Sequence, residues 1–280
     1  MPHPAAYLHL TRPINAAIGA LGCAAACVIA GGDGRSVMVL LPACAAVALI
    51  TAGGNATNDV LDESIDRINR PSRALAAGTV TRRGAVLTAV GCSVAGLASA
   101  AASGLLAFLL AIAGTALILG YNLRLKRVPL LGNAVVSIVT GLAFPFGAAA
   151  AGNVSAGIVP GLLAAAFTFP RELFKDVEDV EGDTAGGIRT FPITHGARAA
   201  MRLAAVCCLL VLAATPLPAV FGLYSWHYLA VVIITVDILL LYIAITALRA
   251  DDAATAGRLS RLMKVAMPGG ILAILAGTIL

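Results

Sequence analysis

The chain has 280 residues, 60% of them hydrophobic and only 12% charged, with a net charge of +5 and a mean hydropathy of +0.94. A soluble globular domain carries about 25% charged residues, so the composition excludes one and implies an integral membrane protein. The apolar residues come in long runs instead of alternating ten-residue strands, which implies helices and excludes a β-barrel.

In chain order, nine runs predict membrane spans at about 13–31, 36–57, 84–101, 104–121, 131–151, 155–173, 200–221, 227–248 and 264–280, each near the roughly 20 residues that cross a bilayer core. The expected fold is all-α, nine transmembrane helices packed closely because alanine and glycine abound. The connections after spans 2, 4, 6 and 8 hold 17 of the 19 lysines and arginines, and only Arg12 and Arg35 lie elsewhere. The positive-inside rule then places those connections, and the N-terminus, in the cytoplasm. This loop bias explains the net charge, and cations divided among four loops do not form a nucleic-acid surface. With no soluble domain or long linker, residues 1–280 read as one domain.

Two acidic segments interrupt the pattern. Asn58-Asp59-Val60-Leu61-Asp62-Glu63-Ser64-Ile65-Asp66 follows span 2, and Lys175-Asp176-Val177-Glu178-Asp179-Val180-Glu181-Gly182-Asp183 follows span 6. Both place aspartates at i, i+3 and i+7, which implies an approximate internal repeat. On a helix this spacing puts Asp59, Asp62 and Asp66 within about 60° of one another, with Asn55 on the same face. Asp176, Asp179 and Asp183 repeat the stripe, and Glu172 takes the place of Asn55. Glu63, Glu178 and Glu181 fall off it and read as solvated.

Like charges so spaced repel, and beside a bilayer they also lose hydration. A divalent cation reverses the sign of that energy. Magnesium takes hard oxygen ligands and binds through one or two carboxylates plus phosphate oxygens. Two acidic faces across a cavity suit magnesium ions shared with a diphosphate. The EF-hand glycine and terminal glutamate are absent, and so is a P-loop.

Basic residues stand beside each stripe. Pro71 in Asn69-Arg70-Pro71-Ser72-Arg73 predicts a turn that returns Arg70 and Arg73 towards the acids. Tyr121-Asn122-Leu123-Arg124-Leu125-Lys126-Arg127 follows span 4, and arginine and lysine are the expected phosphate ligands besides metal. Arg12-Pro13, with Asn15 at the entrance to span 1, is the weakest of these basic candidates, and a headgroup anchor is the alternative reading of Arg12. The six cysteines read as packing residues, and the four scattered histidines do not suggest a metal site.

These residues resemble the UbiA superfamily of membrane prenyltransferases. The family's first motif, NDxxDxxxD continued by INRPxR, stands here as Asn58-Asp59, Asp62, Asp66, Ile68-Asn69-Arg70-Pro71 and Arg73. The second stands as Lys175-Asp176, Asp179 and Glu181-Gly182-Asp183, continued by Gly187-Ile188-Arg189-Thr190-Phe191-Pro192-Ile193. The resemblance implies a bundle around a central cavity facing the cytoplasm of the cell membrane. There Mg2+ on Asp59, Asp62, Asp66, Asp176, Asp179 and Asp183 holds a prenyl diphosphate, whose chain passes to an acceptor as diphosphate leaves. Asn55, Asn58, Arg70, Arg73, Tyr121, Lys126, Arg127 and Lys175 are the implied substrate-binding residues. In motif the chain is most similar to the branch that prenylates geranylgeranylglyceryl phosphate. Val60-Leu61 and Ala74-Leu75-Ala76-Ala77-Gly78 depart from that branch, so an aromatic acceptor, or a terpene cyclase with no acceptor, stays open. No obligatory protein partner is implied.

Overall fold

The structure is a computed structural model that describes residues 4–31 and 36–279; His3, Arg35 and the last residue of the ninth expected span lie outside them. Helices α1 (Pro4–Thr11) and α2 (Pro13–Ile29) lead to α3 (Ser36–Leu61) and the short α4 (Glu63–Asn69). After a loop come α5 (Arg82–Ala101), α6 (Leu105–Leu123), α7 (Leu131–Ala150), α8 (Ile158–Glu178) and the short α9 (Val180–Ala185). The chain continues through α10 (Phe191–His195), α11 (Ala197–Ala214), α12 (Leu217–Val220), α13 (Trp226–Val232), α14 (Ile238–Arg249) and α15 (Ala253–Ile279). A π-helical turn, Ile233–Asp237, joins α13 to α14. Among the described residues there is no strand.

Eight helical segments are long and apolar enough to cross a membrane: α3, α5, α6, α7, α8 with the turn before it, α11 through α12, α13 through α14, and α15. Over the first expected span lies α2, an apolar helix of 17 residues. Hydropathy placed the spans but cut them short. Helix α3 runs four residues past the predicted end to Leu61, α8 reaches Glu178, and α15 begins at Ala253. Hydropathy registers only what the bilayer core accepts, whereas backbone hydrogen bonding carries a helix on into polar residues.

Helix α2 packs on α3, α7 and α15; α3 packs on α5; α7 packs on α6 and α8; and α8 packs on α11 and α15. The helices thus enclose an interior bounded by α2, α3, α7, α8 and α15. Small residues permit the approach. A β-carbon on Gly141 in α7 would overlap the Gly161 carbonyl of α8, and one on Gly147 would strike the Cys23 carbonyl of α2. The largest apolar cluster joins α8, α11, α14 and α15 through Phe174, Met201, Leu240, Ile243 and Met263. Burial on that side fixes α8, the helix that carries the second acidic motif.

Candidate active site

Both acidic motifs bend at their middle aspartate. Asp62 (φ −103°, ψ 14°) separates α3 from α4, and Asp179 (φ −98°, ψ 5°) separates α8 from α9. The Asp66 and Asp183 amides still donate to the Asp62 and Asp179 carbonyls, at 2.8 and 3.0 Å. Each motif is therefore a kinked helix, and the three aspartates keep roughly the stripe that unbroken helical spacing predicts.

In the first motif every aspartate meets a cation. Asp59, 3% exposed, is paired with Arg12. Asp62 is paired with Lys126 and accepts a hydrogen bond from Asn58 at 2.7 Å. Arg73 donates to both oxygens of Asp66, at 2.6 and 2.5 Å. Burial pushes the Asp66 carboxyl above its ordinary pKa in spite of Arg73, and Asp59 and Asp62 add to the rise. Arg12 owes its position to local chain geometry. Pro13 disfavours a right-handed helical conformation at the preceding residue. Arg12 takes a left-handed one instead (φ 50°), between α1 and α2.

The second motif is differently compensated. Asp179 is bound by Arg70 at 2.8 Å. Among the described residues the Asp176 side chain accepts only from the Asn133 amide, at 2.8 Å. Among the described residues Asp176 and Asp183 have no cationic partner within ion-pair distance. Burial raises the Asp183 carboxyl to about 7, and repulsion from Asp179 and from Asp62 of the first motif adds to it. The ends of the two motifs adjoin, since α4 packs on α9. Asn69 joins them directly: its amide donates to the Asp179 carbonyl at 2.9 Å and accepts from the Gly182 N–H at 2.8 Å.

A cavity of about 900 Å³ opens beside the motifs. Its polar wall includes Arg12, Asn55, Asn58, Asp59, Arg70 and Arg73. Its apolar wall includes Phe144, Leu163, Phe167, Val232, Ile271 and Ile274, from α7, α8, α13 and α15. Such a space takes a ligand with a charged head and a hydrocarbon tail.

The model of the UbiA prenyltransferase family matches residues 19–267. The chain belongs to the UbiA prenyltransferase family. A digeranylgeranylglyceryl phosphate synthase of Methanopyrus kandleri is 39% identical over 97% of this chain and 98% of its own length. A solved digeranylgeranylglyceryl phosphate synthase structure superposes with a TM-score of 0.77 at 28% identity, covering 98% of each chain. A UbiA homologue from Archaeoglobus fulgidus, solved with GPP and Mg2+, superposes with a TM-score of 0.70 at 18% identity, covering 96% of this chain and 99% of its own.

In this UbiA prenyltransferase most of the residues singled out from sequence stand together. Asn55 and Asn58 both accept from Arg12, and Asn58 also donates to Asn122 at 3.0 Å. Tyr121 and Lys175 line the cavity, and Lys175 is paired with Glu172 at 2.8 Å. Arg127 is the exception: it is exposed, off the cavity, and makes no ion pair among the described residues. Glu178 is not simply solvated, since it binds Arg70 at 3.0 Å and Arg261 at 3.2 Å. Arg12 is a ligand of the acidic motif and not a headgroup anchor. Asn133, which holds Asp176, has no role assigned from sequence.

The Arg12–Asp59 pair yields a stability prediction. Arg12→Ala leaves the buried Asp59 carboxylate with only the longer pair to Arg73, at 3.5 Å, and is expected to lower the melting temperature by several degrees. Adding Asp59→Asn should recover most of the loss. Equal melting of wild type and Arg12→Ala in detergent would show that the pair carries no such weight.

Proposed function

We propose that this UbiA prenyltransferase transfers a geranylgeranyl group from geranylgeranyl diphosphate to geranylgeranylglyceryl phosphate, forming an ether lipid. The observation that carries this reading is 39% identity to a synthase of that product along 97% of the chain. The head-and-tail cavity beside paired aspartate motifs supports it. The whole chain acts as one domain with an approximate internal repeat, and the shared kinks at Asp62 and Asp179 support the repeat. Helix α2 serves as a ninth span, with the N-terminus and the motifs on the cytoplasmic face of the cell membrane. The support is the bias of lysines and arginines towards the connections expected on that side.

The donor set fits Mg2+. It consists of hard carboxylate oxygens, with two of the six aspartates lacking a cation among the described residues and Asp183 raised by burial and then by its neighbours. Among the described residues no three acids, histidines or cysteines are preassembled as a metal group, because lysine, arginine and asparagine hold the carboxylates. We assign Asp59, Asp62, Asp66, Asp176, Asp179 and Asp183 to the metal. The Archaeoglobus homologue solved with GPP and Mg2+ supports this use of the fold. When bound, Mg2+ supplies positive charge to the departing diphosphate.

The chain's own residues do the rest. Lys126, Arg70 and Arg73 are already held against the motif aspartates, so they stand ready to donate to diphosphate oxygens, with Lys175 on the cavity wall. Asn55 and Asn58 orient Arg12 and the first motif. The apolar wall keeps water from the allylic cation as the C–O bond to diphosphate breaks. The acceptor hydroxyl oxygen then forms the new C–O bond, and its proton passes to the released diphosphate or an aspartate.

Purified protein with Mg2+ and geranylgeranyl diphosphate tests the reading by mass spectrometry. An ether lipid is expected with geranylgeranylglyceryl phosphate. No product is expected with 4-hydroxybenzoate or homogentisate, and no hydrocarbon without acceptor. A prenylated ring or a cyclic hydrocarbon in place of the ether overturns it.

A further inference from the structure

A second group of charges lines the same cavity and takes no part in the pairs that hold the aspartate motifs. Arg171 and Lys175 flank Glu172 and bind its two oxygens at 2.7 and 2.8 Å. Glu172 is 4% exposed. The Arg171 Nε is buried with no hydrogen-bond partner among the described residues. Lys264 stands about three turns into α15 and is half-buried. It makes no ion pair among the described residues, and it lines the same cavity as Arg171, Arg12 and Lys175. A lysine held within a membrane helix among like charges is costly and calls for an anion.

The charge count sets the size of that anion. Arg12 is committed to Asp59, and Lys175, assigned above to the diphosphate wall, offsets Glu172. Arg171 and Lys264 are left, with two positive charges facing one cavity. A phosphate monoester carries about −1.5 to −2 at neutral pH and offers three acceptor oxygens. Lys126, Arg70 and Arg73 stand on the aspartate motifs, where the diphosphate is assigned, so Arg171 and Lys264 are a separate anion-binding group.

We propose that Arg171 and Lys264, positioned by Glu172, form a second anion subsite that binds the phosphate monoester of the acceptor lipid. The inference rests on the proposed function and adds to it. Two anionic head groups then share one cavity, the diphosphate at the aspartates and the monoester at Arg171 and Lys264. The acceptor's phosphate becomes a recognition element in its own right.

Steady-state kinetics of Lys264→Gln and Arg171→Gln, with each substrate varied in turn, test it. The KM for geranylgeranylglyceryl phosphate is expected to rise about 10–100-fold, the scale of losing a charge-assisted hydrogen bond. The KM for geranylgeranyl diphosphate should move by less than about threefold. Lys264→Arg should retain most of the acceptor affinity. Thermal stabilisation of the magnesium-free protein by the acceptor alone should vanish in Lys264→Gln, a readout independent of turnover. Wild type should prefer the phosphorylated acceptor to its dephosphorylated alcohol, and Lys264→Gln should lose that preference. If the donor KM rises and the acceptor KM stays, the cations serve the diphosphate and the proposal is wrong. If neither KM moves while wild type makes the ether, the subsite fails alone. If wild type makes no ether, the proposed function fails and takes the subsite with it.

Discussion

Asp183→Asn is expected to lower magnesium-dependent prenyl transfer by about 10²–10³-fold while making the magnesium-free protein more stable at pH 8. Both effects come from one carboxylate. Burial, and then Asp179 and Asp62, raise its pKa from 3.8 to about 7. The folded protein therefore keeps this proton up to about pH 7, whereas the unfolded chain releases it near 4. In that window the unfolded state binds fewer protons, so this group's contribution to stability falls as pH rises from about 4 to 7 and stays low above it. Asparagine cannot ionise, so the variant escapes the penalty. It also removes an anionic oxygen from the proposed metal site, and losing one such electrostatic contribution to a transition state costs about 10²–10³-fold. Melting in chelator should show wild type losing stability between about pH 4 and 7 and, at pH 8, regaining it with Mg2+, with the variant flatter in both respects. Full activity in Asp183→Asn would remove Asp183 from the metal set.

The extent to which this site could be read from sequence follows the range of the interactions. Aspartate spacing is local, and helical geometry turns it into a stripe without any tertiary information, so the six acids were legible. The turn at Pro71 was legible for the same reason: α4 ends at Asn69, and Arg70 and Arg73 return to the acids. The kinks at Asp62 and Asp179 were not, because neither has a proline or glycine beside it and the i to i−4 hydrogen bonds persist through them. Arg12 is only a weak candidate from sequence because its partner lies 47 residues away. Lys264 was counted as a loop cation because hydropathy started the last span there, whereas α15 begins at Ala253 and carries the lysine inward. The five short helices α1, α4, α9, α10 and α12 have too few residues for a periodic signal. What sequence could not show was pairing across the bundle, and that pairing decides which carboxylates are left for a metal.

Gly182→Ala is expected to reduce kcat by about 10²-fold, although Gly182 contributes no side chain to the chemistry. A β-carbon there would fall within the Asn69 carboxamide. That carboxamide is the link between the motifs, donating to the Asp179 carbonyl and accepting from the Gly182 N–H. Inserting a methyl group displaces that carboxamide, which breaks the link or moves α4 away from α9, so the aspartates of one half shift against those of the other. A displacement of about 1 Å between groups that share one reacting centre costs on the order of 10²-fold. A steric cause makes a further demand. In Asn69→Ala/Gly182→Ala the obstructing carboxamide is gone, α4 can settle back, and the ion pairs of Arg70 with Asp179 and Glu178 still bridge the motifs. The double variant should therefore be more active than Gly182→Ala alone, and its magnesium dependence should return towards that of Asn69→Ala. If the double variant is the worse of the two, hydrogen bonding and not room governs the contact. If Gly182→Ala turns over like wild type, the two motifs do not need this register to act together.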